Sequence, residues 1–370
     1  MKFNCNQQIL AKTLAIVSKA VSTRTTIPIL KGILITAADD KVTLSASDMD
    51  FSIEKTFDAV VDEPGSIVVS SKLFGDIIRK FPNESIFIEI IDDNILKIKT
   101  LKSEYTIVGQ PADEFPKIGI FEDTSSKLVF NRELFTSMIK KTYFAASNEE
   151  SKGVIVGVLL EMNETNVNMV ALDGFRMAVC REQMRNENVD NIIIPSKNLG
   201  DIRNILMDIN DAEDIEIILG NKKLVILVDN TKIDVRLIEG QFIKYKDILP
   251  KDCYTKMIID RNELLTSIER ASLLAKEGKN NLIKCSIKEN LLTITSRSEE
   301  GAATEEIIMD KTGEDLEIGF NSKYLLDALK AIDDDEVLIE FKTAITPCLI
   351  KPLECNSYEY LVLPVRITSN

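Results

Sequence analysis

Three short basic segments recur along the chain, and each places a lysine where it could contact an anion. The Ser-Lys pairs at 71–72, 196–197 and 322–323 occur in "SSKLFGDIIRK", "PSKNLGDIRNI" and "NSKYLLDALKA". Apolar residues at helical spacing follow each pair, so we expect the serine to cap a helix and the lysine to lie near its start. A basic group in such a position attracts phosphate without recognising what carries it.

Residue types needed for several other chemistries are absent or scattered. The 370 residues include no histidine, which excludes Ser-His-Asp and Cys-His nucleophile pairs and histidine-bearing zinc sites. No GxxxxGK[ST] or GxGxxG loop occurs, and the six cysteines form no CxxC pair, so we expect reduced thiols in or near the core. Carboxylate acid–base chemistry stays open because Asp and Glu number 59, but we interpret the densest run, "DDDE" at 333–336, as a solvated loop. We expect no catalytic residue, no metal ligand and no cofactor.

The spacing of the basic segments, close to 125 residues, indicates a large internal repeat. "VFNRELFTSMIKK" (129–141) matches "IIDRNELLTSIER" (258–270), and "SASDMDFSI" (45–53) aligns with "VALDGFRMA" (170–178) on Asp48 and Asp173. Between the helix segments, apolar and polar residues alternate around turns, as in β-hairpins. The pattern predicts an α+β fold of three repeated domains, each with two helices and antiparallel sheets, at 1–122, 123–250 and 251–370.

The positive charge is concentrated in the helices. Six helices are predicted at 7–22, 72–81, 132–147, 197–207, 261–276 and 323–331, and they carry 15 Lys and Arg against 6 Asp and Glu, although the whole chain has a net charge of −14. Lysine on an amphipathic helix usually marks only a solvated face. The same bias in six repeated helices instead favours one common basic surface that would bind phosphate backbone, with Lys12, Lys140 and Lys141 as candidates from charge alone.

At the level of motifs the chain resembles the bacterial DNA polymerase III beta subunits, the sliding clamps. The resemblance covers the whole chain and rests on "TIPILKGILI" (26–35), "PADEFPKI" (111–118), "ALDGFRMAVCR" (171–181), "IPSKNLGDI" (194–202), "LEIGFNSKYLLDAL" (316–329) and "YLVLPVRI" (360–367). It implies a head-to-tail homodimeric ring of clamp domains, lined by helices, that encircles duplex DNA without sequence specificity and makes the polymerase processive. The DNA-facing positions that match are Arg24, Lys72, Lys197 and Lys323.

The resemblance also implies a cleft between the second and third domains that binds a short linear peptide of partner proteins. These partners would be the replicative polymerase, an ATP-driven clamp loader, other polymerases, mismatch-repair proteins and ligase. Aliphatic pockets with a few polar groups are the expected anatomy of such a site, and we expect Phe175 and Met177 to be exposed beside Arg176. The matching positions are Ile155, Leu172, Gly174, Phe175, Arg176, Met177, Ile243, Ile248, Thr346, Leu361, Leu363, Pro364, Val365 and Arg366.

Two of these positions depart from the family, because Phe175 stands where relatives often have histidine and Ile243 where some have proline. The tail "TSN" (368–370) also runs past the last matched position. We expect the cleft to persist with a different peptide preference.

Ring closure would join a basic strand of one subunit to an acidic one of the other. "ILKIKTLKSEYTI" (95–107) is interpreted as the basic strand and "SEEGAATEEI" (298–307) as the acidic one. Taken alone, each is more simply an exposed edge. The interface residues implied by the resemblance are Lys97, Lys99, Tyr105 and Ile107 on one side and Leu273, Leu274, Glu299, Glu300, Glu305 and Glu306 on the other.

Two other functions remain to be weighed. One is a repeat-built DNA-binding or scaffold protein that does not encircle DNA, and the more distant one is an enzyme with a carboxylate pair in a cleft. The N-terminus has no apolar signal segment and no apolar run is long enough to span a membrane, so we expect a soluble, cytoplasmic, nucleoid-associated protein.

Overall fold

The computed structural model describes residues 1–22, 24–118, 126–185, 190–209, 212–220, 222–250 and 252–367. The predicted domain boundary at 122/123 and the tail 368–370 lie outside the described residues, as does residue 251 beside the second boundary. In the first part of the chain the elements are β1 (Lys2–Asn6), α1 (Gln7–Val17), β2 (Gly32–Ala38), β3 (Lys41–Ser47), β4 (Phe51–Asp58), β5 (Val60–Glu63), β6 (Gly65–Ser70), α2 (Ser71–Lys80), β7 (Ser85–Asp92), β8 (Ile95–Lys99) and β9 (Glu104–Val108).

The same alternation of helices and hairpins follows twice more. The next elements are β10 (Ser126–Asn131), α3 (Arg132–Thr142), β11 (Gly157–Met162), β12 (Asn166–Leu172), β13 (Arg176–Gln183), β14 (Asn191–Pro195), α4 (Ser196–Asp208), β15 (Asp214–Leu219), β16 (Lys223–Val228) and β17 (Thr231–Arg236). The last are β18 (Thr255–Asp260), α5 (Arg261–Ala275), β19 (Leu282–Lys288), β20 (Leu291–Ser298), β21 (Gly301–Ile308), β22 (Asp310–Thr312), β23 (Leu316–Asn321), α6 (Ser322–Ala331), β24 (Glu336–Phe341), β25 (Cys348–Lys351) and β26 (Tyr358–Val362).

One compact unit is made of Met1–Phe135 and Asp201–Leu237. It contains a five-stranded sheet, in the order β5-β1-β7-β8-β9, and an eight-stranded sheet, β10-β15-β16-β17-β4-β3-β2-β6. The eight-stranded sheet joins strands of two repeats, because β17 pairs antiparallel with β4 from Thr231 opposite Lys55 to Val235 opposite Phe51. Helix α1 packs on α2, β3 and β4, where it buries Leu10, Leu14 and Val17.

The other unit contains Thr136–Gly200 and the chain from Ile238 onward. Its sheets are β14-β11-β12-β13-β26-β25-β24-β18-β22 and β21-β20-β19-β23. Here β13 pairs antiparallel with β26, so the nine-stranded sheet joins the second repeat to the third. Helix α5 packs on α6, β20 and β21.

The sequence predicted the six helices correctly, but placed the caps of α2 and α6 one residue too late. The caps of α1, α2 and α6 are Asn6, Ser70 and Asn321, whose side-chain oxygens accept backbone N–H groups of the first turn. The serines of the repeated pairs are therefore inside the first turn, and Ser71 and Ser322 are buried. At α4, Ser196 Oγ donates to the Val156 carbonyl, 2.8 Å away.

The predicted basic strand at 95–107 was wrong as a single element. It is a hairpin in which β8 is an inner strand and β9 is the edge, with a turn that carries Lys102 between them. None of the described helices is long and apolar enough to span a membrane.

Candidate functional site

A tight turn before β13 presents one aromatic side chain to solvent. Asp173 Oδ1 accepts the N–H groups of Phe175 at 2.8 Å and Arg176 at 3.0 Å, and Gly174 between them has φ +96°. Glycine suits this position because the left-handed region strains other residues. Phe175 is 54% exposed, stacks on the Tyr324 ring at 6.2 Å and has Lys152 Nζ 5.9 Å from its ring centroid.

Arg176 is buried, at 6% exposure, and its side chain supports this turn from below. Its Nε donates to Asp173 Oδ2 at 3.0 Å, Nη1 to Asp327 Oδ2 at 2.6 Å and Nη2 to the Phe144 carbonyl at 2.7 Å. The guanidinium carbon also lies 4.7 Å from the Tyr324 ring centroid. The guanidinium charge is satisfied by groups of the same chain, so Arg176 positions Phe175 and α6 and is not a free cation for a ligand.

The floor beside the turn is an aliphatic cluster. Leu172, Met177 and Leu361 are 5%, 3% and 1% exposed and pack with other buried residues, namely Leu159, Val170, Val179, Ile193, Tyr245 and Leu349. The prediction that Met177 is exposed is therefore wrong. Residues two apart on one strand share a face, but Phe175 lies before β13, in the turn that Gly174 forms, so its ring points to solvent while Met177 inside the strand packs in the cluster.

An apolar rim stands above this floor. The exposed side chains are Phe175, Ile243 at 42%, Ile248 at 43% and Leu363 at 37%, and Ile155 is partly buried against the cluster. The Leu363 N–H donates to the Phe175 carbonyl at 2.9 Å, which ties the two rim residues together. Of the remaining predicted positions, Thr346, Pro364 and Val365 are half-buried and Arg366 is exposed. Floor and rim together form what we call the partner cleft.

The chain from 238 to 249 supports the rim from behind. Tyr245 is buried and its hydroxyl donates to Glu161 Oε2 at 2.7 Å, and Glu161 also accepts from Asn168 and Lys246. Burial by itself would raise the pKa of Glu161, but these hydrogen bonds outweigh it and hold the pKa below its usual value. A groove of about 520 Å³ runs along this segment and reaches Ile243.

Several residues of the partner cleft escaped sequence reasoning. Tyr324 supports Phe175, and Phe242 and Leu249 pack against the floor. The available signal for Tyr324 was its place directly after a repeated Ser-Lys pair.

The predicted DNA-facing residues fall into two groups. Lys12, Arg24, Lys72, Lys197 and Lys323 are exposed, and within the described part of the chain none of them forms an ion pair. In contrast, Lys140 Nζ pairs with Asp333, and Lys141 Nζ lies 5.7 Å from the Tyr358 ring centroid. The two lysines predicted on α3 are thus half-buried and partly compensated.

Each of the two predicted interface segments contains an edge strand, β9 in one and β21 in the other. In β9, Tyr105 is 45% exposed, whereas Ile107 is 6% exposed and packs inside its own unit. Lys97, on the inner strand β8, pairs with Glu89 and Glu104, while Lys99 is exposed.

The acidic edge is β21. It begins after a turn at Glu299 and Glu300, and its Glu306 is exposed whereas Arg270 binds Glu305. Leu273 is 65% exposed beside it and Leu274 is half-buried. Ile308 at 80% and Val108 at 79% add exposed apolar area on the two edges that sequence reasoning missed.

Comparison with known proteins follows the internal repeat. Models of the N-terminal, central and C-terminal domains of the DNA polymerase III beta subunit match residues 1–119, 130–244 and 246–366. The beta sliding clamp of Bacillus subtilis is 34% identical over 379 aligned positions, which cover 99% of this chain and all of that protein. The chain belongs to the DNA polymerase III beta subunit family, the beta sliding clamps.

Solved clamp structures share the fold. The crystal structure of the Bacillus subtilis DNA polymerase sliding clamp superposes with a TM-score of 0.93 at 33% identity, over 100% of both chains. A Caulobacter crescentus beta sliding clamp with polyethylene glycol bound to its putative beta-motif tethering region gives a TM-score of 0.90 at 26% identity, over 99% of this chain and 100% of that one.

Family membership confirms the predicted resemblance, the α+β architecture of three clamp domains and the assignment as a non-catalytic DNA sliding clamp of replication. Because the eight- and nine-stranded sheets each join two clamp domains, the three domains fall into only two compact units.

Proposed function

We propose that two copies of this clamp close head to tail as a ring around duplex DNA, hold it without sequence specificity, and tether partner proteins through the partner cleft. The observation that carries the tethering role is the exposed rim of Phe175, Ile243, Ile248 and Leu363 above the buried aliphatic floor. Apolar anchors inserted in such a groove supply most of the affinity of a short peptide.

The DNA contact is supported by cations that the described chain leaves uncompensated. Lys72, Lys197 and Lys323 each lie at the second residue of a helix with no acid in its first turn, and Lys12 and Arg24 are exposed in the first domain. The positive end of the helix dipole disfavours a cation there. A phosphate of bound DNA beside each of these three lysines would account for their unfavourable position.

Ring closure is supported by the edge strands β9 and β21. We propose that β9 of one subunit pairs with β21 of the other, so that exposed backbone groups meet across the interface. Leu273, Tyr105, Val108 and Ile308 would supply apolar area, with Lys99 facing Glu299, Glu300 and Glu306. Lys97 and Glu305 keep their partners within the subunit, and Ile107 and Leu274 support the exposed residues.

The partners proposed are the replicative polymerase, an ATP-driven clamp loader, other polymerases, mismatch-repair proteins and ligase, each using the same short linear motif. We place this activity in the cytoplasm, at the nucleoid. The domains that would act are 1–122, 123–250 and 251–370, a division supported by the ranges of the three matching family models.

The decisive experiment is topological. Clamp loaded by a clamp loader and ATP onto a nicked circular plasmid should co-elute with the DNA in gel filtration, and linearising the plasmid with a single-cutting enzyme should release it. Free ends open the only escape route from a ring. Retention on linear DNA at the same salt concentration would instead support a repeat-built DNA-binding protein that does not encircle its substrate.

A further inference from the structure

The junction of the first and central domains repeats the backbone of the partner cleft. Asp48 Oδ1 accepts the N–H groups of Asp50 at 3.1 Å and Phe51 at 2.7 Å, as Asp173 does for Phe175 and Arg176. The Arg236 N–H donates to the Asp50 carbonyl at 2.7 Å, the counterpart of the bond from Leu363 to Phe175.

The side chains on this repeated scaffold are polar instead of apolar. Strand register places Asp234 opposite Ser52, where the partner cleft has Leu361 opposite Met177. On the rim, Asp50 and Arg236 stand in place of Phe175 and Leu363. Together they enclose a cavity of about 120 Å³, which we call the junction pocket, lined by Ser47, Met49, Asp50, Ser52, Pro116, Lys117, Ile118, Lys223, Asp234 and Arg236.

Asp234 is the unusual group in the junction pocket. It is 5% exposed, and within the described residues its Oδ2 is fully buried without a hydrogen-bond donor. Lys223 Nζ lies 3.8 Å from the other oxygen. Burial of the carboxyl raises its pKa. An unsatisfied buried acceptor costs free energy, and the leucine at the equivalent place in the partner cleft shows that this scaffold accepts an apolar residue.

Other groups in the junction pocket also have hydrogen-bonding capacity to spare. Ser47 Oγ and Ser52 Oγ are 2.8 Å apart and both residues are buried. One hydroxyl hydrogen joins the two oxygens, which leaves the other for a further acceptor. The cavity of about 120 Å³ is several times larger than the space that one water molecule requires.

The backbone at the mouth of the junction pocket is strained. Met49 has φ +83°, where Gly174 has +96°, and it is 58% exposed. A non-glycine residue in the left-handed region is unfavourable and is concentrated at ligand sites. The Met49 side chain, which a glycine would lack, lines the mouth of the junction pocket.

We propose that the junction pocket binds a primary carboxamide, the group carried by Asn and Gln side chains. The amide NH₂ would donate to the Asp234 carboxylate, and the amide oxygen would accept from Lys117, Lys223 or the spare serine hydroxyl. In the junction pocket Arg236 pairs with Asp50 at 3.2 Å and Lys223 Nζ lies 3.8 Å from Asp234, while Lys117 is exposed. Each carboxylate is thus matched by a cation, and an added ammonium or carboxylate group would compete with one of these pairs. A neutral group that both donates and accepts therefore fits best.

The test uses methionine methyl groups as separate reporters of the two sites. Full-length clamp labelled with ¹³C-methyl methionine is titrated with propionamide, propionate and propylammonium, which have similar shapes and different charges. The Met49 methyl signal, assigned with Met49→Leu, should shift saturably with propionamide and hardly move with the two ions. The Met177 signal should stay in place, because Met177 reports on the partner cleft.

The Asp234→Leu variant copies the residue of the partner cleft. It should fold, melt at a higher temperature than the natural chain, and lose the Met49 response to propionamide. A Met49 shift that persists in this variant, an equal response to propylammonium, or no saturable shift with propionamide would each overturn the proposal. A partner peptide that failed to move Met177 would count against the partner cleft alone.

Discussion

At the residue scale, the partner cleft divides its predicted residues into two kinds. Leu172, Arg176, Met177 and Leu361 are buried and hold the groove together, whereas Phe175 and Leu363 are available for contact. The motif identified the set but not the division. Arg176 and Met177 point to opposite sides of β13 and both are buried, because pairing with β26, far along the chain, makes β13 an inner strand of its sheet.

We expect Phe175→Ala and Leu363→Ala each to weaken binding of a polymerase-derived peptide by about 5- to 30-fold, since removal of a rim anchor costs roughly 1–2 kcal/mol. Fluorescence polarisation with labelled peptide measures this. Val129→Ala, an exposed apolar residue on β10, serves as the control and should leave affinity unchanged. If the two rim variants also bind like the natural chain, the peptide does not use this rim.

Substitution of Met177 is a test of folding and not of binding. Met177→Glu would bury a charge in the aliphatic floor and should lower the free energy of unfolding by several kcal/mol. Its loss of peptide binding would therefore be uninformative unless the melting temperature were unchanged.

At the scale of elements, the helices were predictable because each has a local apolar period and a capping signal. The cap position was missed by one residue at α2 and α6, because two polar residues precede each lysine and either could cap. The β8–β9 hairpin was missed because "TLKSEY" (100–105) contains neither glycine nor proline. Its turn is instead closed by a hydrogen bond from the Thr100 N–H to the Ser103 carbonyl, at 2.9 Å.

The first turns of α2, α4 and α6 give an element-scale prediction. The triple variant Lys72→Gln, Lys197→Gln, Lys323→Gln should bind duplex DNA less tightly. The slope of log K against log salt concentration should become shallower by about 0.9 for each DNA phosphate that a lysine no longer neutralises. Thermal stability should be unchanged or slightly higher, since each cation opposes its helix dipole. Filter binding across a salt series gives the slope.

The matched control for these three lysines is Lys140→Gln, because Lys140 already pairs with Asp333. We expect its effect on the slope to be smaller than that of Lys197→Gln alone. Equal effects from the two single variants would indicate that uncompensated charge is not what selects the DNA-facing residues.

At the scale of the whole molecule, the sequence predicted the threefold repeat, but it did not predict that strands of neighbouring domains pair in shared sheets. Phe51 pairs with Val235 and Arg176 with Val362, and separations of this length leave no local signal. Edge strands could be inferred only once those pairings showed which strands remain without a neighbour on one side.

Assembly provides the whole-molecule prediction. Val108→Asp and Ile308→Asp should each shift the dimer toward monomer in sedimentation equilibrium at micromolar concentration, because a carboxylate would be placed on an apolar pairing edge. Val60→Asp is the matched control, since Val60 is 65% exposed on β5, the opposite edge of the sheet that ends in β9. Natural chain that sediments only as a monomer, or a control that dissociates equally, would exclude these edges as the interface.

The ladders that join β4 to β17 and β13 to β26 also have a mechanical consequence. At each of these two domain junctions, five residue pairs share a continuous antiparallel ladder, so bending there would require several backbone hydrogen bonds to break together. Neither junction can serve as a compliant hinge. The proposed seam between β9 of one subunit and β21 of the other differs from these junctions, because it would separate without unfolding either chain.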